Sequence, residues 1–131
     1  MPGRLRSMTT KAKLLATTID CAEPKKLAEF YHQLTGLPIQ YSEDEYAAVG
    51  DGTTNIYFGR VPDREPVPWP SPAKQFHFDF RVPDVEKAVE EYVALGATRP
   101  EFQPGVTDEG VGWIVMQDPE GHAFCVCPEK S

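Results

Sequence analysis

Gln75-Phe76-His77-Phe78-Asp79-Phe80-Arg81-Val82-Pro83-Asp84 is the stretch on which the fold turns. Aromatic and polar residues alternate with a period of two, the signature of a strand with one buried face. Phe76, Phe78 and Phe80 share one side and are expected to meet a helix. Gln75, His77, Asp79 and Arg81 share the other, an unusual polar set that points to a cleft. Pro83-Asp84 then opens a helix whose apolar face is Val85, Ala88, Val89 and Tyr92, with Gly96 beyond its end.

The same order occurs about 60 residues earlier. Leu14 to Asp20 reads as a strand, and Leu27, Phe30, Tyr31 and Leu34 fall on one helical face. Pro24 suits the first helical turn and Gly36 the residue past the last. Short strand-like runs follow each helix: Pro38 to Ser42, Tyr46 to Val49 and Thr53 to Phe58, then Thr98 to Gln103, Gly112 to Gln117 and His122 to Cys127. Asp118-Pro119-Glu120-Gly121 has the residue preferences of a type I turn. Each half therefore reads βαβββ.

The expected organisation is one structural domain: a disordered tail over 1–12, a first module over 13–60, a stiff Pro-rich connector over 61–74 and a second module over 75–131. Neither half has enough core to stand alone. Set side by side, they give an α+β fold with a curved mixed sheet, helices outside and a concave cleft inside. Strand alternation sends Ala16 and Thr18, Asn55 and Tyr57, and Ala123 and Cys125 toward that cleft. Ile19, Ile56, Phe58, Phe124 and Val126 face the opposite way.

The chain has 131 residues and a formal net charge of −7, with Lys and Arg scattered outside the tail. Nucleic-acid binding needs a basic stripe, so no nucleic-acid partner is expected. No run of about 18 apolar residues exists, so no membrane span is expected either. The tail carries Arg4 and Arg6 but no apolar export segment, and three cysteines leave an odd count. Reduced thiols in a cytoplasm are the expectation. Cys125 and Cys127 point to one face of a strand and read first as small buried side chains, with a soft-metal pair as the alternative.

The repeated βαβββ plan, the helix "EFYHQLTGLP", the strand "FHFDFRVPD" and the turn "DPEGHAF" together resemble the vicinal oxygen chelate superfamily, in its glyoxalase-like branch. That superfamily includes glyoxalase I, extradiol dioxygenases, fosfomycin-modifying enzymes and bleomycin-sequestering proteins. The resemblance covers roughly residues 13 to 128. It implies the glyoxalase/bleomycin-resistance fold, a homodimer and a small organic ligand. It also implies metal-ligand positions on the first and last strands of each half, which fall here on Ala16, Tyr57, His77 and Cys125. Only His77 is of the family type. Ala16 has no donor atom, and Tyr57 would have to ionise from a pKa near ~10. No metal and no other cofactor are therefore expected.

Two functions from different classes follow. The first is metal-independent binding, in which the cleft sequesters a small organic molecule such as an aromatic natural product or antibiotic. Tyr57, Trp69 and Trp113, with Tyr46 nearby, would supply stacking surfaces; Gln75, His77, Asp79 and Cys125 would supply polar contacts. The alternative is a metal-free lyase, isomerase or cyclase acting on a small carbonyl compound. There His77 would be the base, Asp79 would orient it and Tyr57 would donate a proton. A domain that only associates with itself or a partner is the third reading.

Overall fold

Pro24 and Gly36 bracket the first helix as their chemistry requires. Pro24 opens α1 (Pro24–Thr35), and Gly36, at φ 78°, ends it in the left-handed conformation that glycine tolerates best. In the second half the Asp84 carboxylate accepts the Lys87 amide at 3.1 Å and starts α2 (Val85–Ala94). These features belong to a computed structural model that describes residues 10–129. The expected tail, with Arg4 and Arg6, lies largely outside the described residues.

The first module hydrogen-bonds as a four-stranded sheet, β1 (Thr17–Cys21), β4 (Asn55–Arg60), β3 (Tyr46–Gly50) and β2 (Ile39–Ser42) in spatial order. β1 and β4 run parallel and the rest antiparallel. The second module pairs β5 (Phe78–Val82) parallel to β9 (Ala123–Pro128), with β8 (Ile114–Gln117) antiparallel beyond it. A short hairpin, β6 (Val106–Thr107) with β7 (Gly110–Val111), was not foreseen. The fold is α+β, two helix-on-sheet modules, as expected.

The strand expected over Thr98 to Gln103 shrinks to a single bridge between Thr98 and Gln117. Pro100 lacks a ladder donor. The Gln103 side chain takes over: its amide donates to the Val115 carbonyl at 2.9 Å and accepts the Val115 N–H at 2.8 Å. A side-chain amide thus satisfies an edge that a strand would have covered.

One core spans both modules. Leu27, Phe30 and Tyr31 of α1 pack with Ile56 and Phe58, and also with Phe124 and Val126 of the second half. The Tyr31 ring stacks on Phe58 at 5.7 Å and meets Phe78 edge-on at 5.9 Å. Phe78 and Phe80 reach this core as the alternation predicts. Phe76 does not. It precedes the paired strand and is 88% exposed, because alternation constrains a side chain only where a ladder fixes the backbone. Leu14 and Leu15, expected within β1, also precede its paired residues and are exposed.

Candidate functional site

β1 and β5 each form one edge of their sheets, and a cleft of about 730 Å³ opens along them. It is lined by consecutive residues Ala16 to Asp20 on one side and Ala73 to Phe78 on the other. Arg64, Val67, His122 and Ala123 complete the lining. The volume suits a drug-sized molecule, and the walls mix apolar surface with a few polar groups.

The Asp118–Gly121 turn leads directly into His122 and Ala123 of the lining. The Gly121 N–H donates to the Asp118 carbonyl at 2.9 Å, closing the turn as the sequence predicts. The Asp118 side chain is 3% exposed overall and fully engaged. It accepts the Tyr31 hydroxyl at 2.7 Å and lies 2.8 Å from His122 Nδ1. It also accepts the backbone N–H groups of Glu120 and His122. His122 Nε2 meets the Asp20 carbonyl at 2.8 Å, so this residue ties the last strand to the first. Glu120 accepts the Ala22 and Glu23 N–H groups at 2.6 and 2.9 Å, covering orphan donors at the start of α1. The turn therefore ties the two modules together.

His77 and Gln75 line the cleft. Asp79 stands beside them, its Oδ1 3.3 Å from His77 Nε2, both side chains substantially exposed. Asp79 pairs in register with Cys125 on β9, and ligating atoms of His77, Asp79 and Cys125 lie within 4.8 Å of one another. Burial, then the Asp79 charge, pushes the Cys125 thiol up to about 12.

The remaining expected residues lie elsewhere. Tyr57 neighbours Tyr41, ring centroids 6.4 Å apart, away from the cleft lining. Asn55 is structural: its amide donates to the Leu15 carbonyl at 2.9 Å and its oxygen accepts the Gly52 N–H. Trp69 packs over Val115, Ala123 and Cys125, and its Nε1 donates to the Phe102 carbonyl at 3.2 Å. It covers the inner face of the second sheet rather than lining the cleft. Trp113 sits outside β8 in a separate hollow of about 280 Å³ beside Gly105 and Gly110. Three aromatic side chains expected at the cleft are thus replaced there by two, Phe76 and Phe78. Arg64, Lys74, Thr17 and His122 were missed. The first two lie in the connector, and no spacing signal marks them.

A family model for the glyoxalase-like domain matches residues 16–127. The chain belongs to that family. This glyoxalase-like protein is similar in fold to a glyoxalase/bleomycin resistance protein/dioxygenase family enzyme from Burkholderia phytofirmans PsJN. The two are 20% identical with a TM-score of 0.67, covering 89% of this chain and 98% of the other. A glyoxalase family protein from Enterococcus faecalis is 15% identical with a TM-score of 0.64, covering 88% and 96% respectively. A glyoxalase/bleomycin resistance protein from Albidiferax ferrireducens T118 is 14% identical with a TM-score of 0.61, covering 89% and 98%. No curated protein matches the glyoxalase-like chain. No helix among its described residues is long and apolar enough to cross a membrane.

The metal expected from the superfamily resemblance does not fit the four positions of this glyoxalase-like protein. Ala16 offers no donor, and Tyr57 lies outside the cleft lining that contains His77. The first module therefore supplies nothing. What remains is one cluster within the second module, His77, Asp79 and Cys125, with ligand atoms within 4.8 Å of one another and His77 already 3.3 Å from Asp79.

Proposed function

We propose that this chain is a metal-independent small-molecule-binding protein that sequesters a planar or amphipathic organic compound, such as an aromatic natural product or antibiotic. The observation that carries this reading is the cleft of about 730 Å³, open between two strand edges and lined by groups of both kinds. Phe76 offers an exposed aromatic face at its rim. Gln75, His77 and the Thr17 and Thr18 hydroxyls offer orientation. The bleomycin-resistance names of structural neighbours support the choice by analogy of fold. We place the protein in the cytoplasm as a homodimer.

Nitrogen-edited NMR with a panel of aromatic compounds, run with chelator present, tests the reading. Saturable shifts at Thr18, Gln75 and His77 would support it. Shifts that appear only after metal is restored would refute it.

One observation favours a second reading. His77 and Asp79 are 3.3 Å apart, close enough for the carboxylate to orient the imidazole as a general base. A metal-free lyase, isomerase or cyclase acting on a small carbonyl compound would use this pair. Tyr57, outside the cleft lining, would not be its proton donor. Loss of turnover in His77→Ala with unchanged ligand affinity would mark the protein as this enzyme.

A further inference from the structure

We propose that Lys74, backed by Arg64, forms an oxyanion subsite of the cleft, so that the bound molecule is an organic acid. The inference rests on the ligand-binding reading above and names the class of ligand.

Lys74 lines the cleft, and its Nζ donates to the Gly121 carbonyl at 2.7 Å, beside His122 of the same lining. Among the described residues no carboxylate lies within ion-pair distance of it. An ammonium has three donors, so this arrangement leaves two for a ligand. Arg64 stands on the same turn, donating Nη1 to the Glu120 carbonyl at 3.1 Å. Its side chain is 15% exposed and lies 3.7 Å from Glu120 Oε1, so its charge is partly offset there and it backs Lys74 as a second, weaker cation. Partial burial, with Arg64 close by, holds the Lys74 pKa below its ordinary value. An anion placed there would relieve both penalties.

The neighbouring acids are already engaged. Glu120 serves Ala22, Glu23 and Arg64, and Asp118 serves Tyr31 and His122. Asp20 is the carboxylate residue in the lining, against Arg64 and Lys74. In a chain of net charge −7 the lining carries two cations, Arg64 and Lys74, against Asp20, with Glu120 ion-paired to Arg64 and Asp118 acting on Lys74 from outside the lining. Thr17, Thr18 and Gln75 add neutral donors around it. Phe76 stands at the same cleft to take an aromatic body.

Three probes of matched shape test this: 2-naphthoate, 2-naphthyl phosphate and the neutral 2-naphthamide. Each is titrated against the full chain by NMR, with Lys74→Gln and Lys74→Arg in parallel. The thermal midpoint of each variant establishes folding. At least one anion is expected to bind about tenfold more tightly than the amide. Lys74→Gln should remove that advantage and leave the amide unchanged, while Lys74→Arg retains most of it. Preference for carboxylate over phosphate, or the reverse, identifies the oxyanion. Amide binding equal to that of both anions would overturn the subsite and leave the binding reading intact. So would an anion advantage that survives Lys74→Gln. No cleft shifts with any probe would overturn both.

Discussion

The Tyr31 hydroxyl donates to Asp118 Oδ2 at 2.7 Å, joining the first helix to the last turn through a buried contact. Tyr31 comes from the first module and Asp118 from the second, so this bond crosses the seam on which the cleft depends. Burial, reinforced by the Asp118 charge, holds the tyrosine pKa well above its ordinary value. Tyr31→Phe keeps the ring packing and removes one donor, and should cost about 1–2 kcal/mol. Asp118→Ala strands the Tyr31 hydroxyl and His122 together and should cost about 3 kcal/mol or more. Urea unfolding of the two variants measures both. Equal costs would show that the other Asp118 contacts contribute little.

Glu120 covers the Ala22 and Glu23 N–H groups across the same seam. Glu120→Gln should weaken this charge-assisted cap by about 1 kcal/mol and raise amide exchange at Ala22 and Glu23. Unchanged exchange there would assign the cap no role in joining the modules.

Trp69 lies over Cys125 and Val115. Trp69→Ala should speed the reaction of Cys125 with an aromatic disulfide reagent, because the shielding ring is gone. The lost packing should cost about 1–2 kcal/mol for a half-buried indole. Cys125→Ser in the same background identifies which thiol reacts. A rate unaffected by Trp69→Ala would mean that the β9 strand itself protects the sulfur.

Stability should fall on the alkaline side. Cys21 and Cys125 are pushed up to about 12 from 9.0, chiefly by burial, and Tyr31 is raised as well. In the unfolded chain these groups release protons first, at their ordinary values. Their contribution is therefore complete below pH about 8.5 and is lost as pH rises toward the folded values. Urea midpoints at pH 7, 9 and 10.5 should decline in order, and Cys125→Ala should flatten the decline. A midpoint constant to pH 10.5 would contradict the assignment.

Much of the fold was legible because local patterning and tertiary demand agree. Leu27, Phe30 and Tyr31 fall at helical spacing, and Phe78 and Phe80 alternate into the same core. Agreement ended where backbone pairing ended. Phe76 continues the alternation in sequence but stands before the ladder begins, so the pattern misplaced it. Gln103 could not be read as a strand substitute, since a side-chain amide bonding a strand edge leaves no periodic trace. The site was legible in part. Gln75 and His77 reach the cleft, and Asp79 flanks His77, because they straddle the start of one strand. Trp69 and Trp113 rest on their chemistry and Tyr57 on strand alternation, and each makes its contacts outside the cleft lining. Lys74 and Arg64 are set by docking of the connector on the Asp118–Gly121 turn, a long-range event with no local signature.

A native mass spectrum of untagged protein, purified without chelator and titrated with 2-naphthoate, tests the central claim most directly. The account predicts a chain free of stoichiometric transition metal that takes up one probe molecule per chain, with uptake unchanged after exposure to chelator. One zinc or other transition metal per chain, lost in Cys125→Ser together with probe binding, would contradict it.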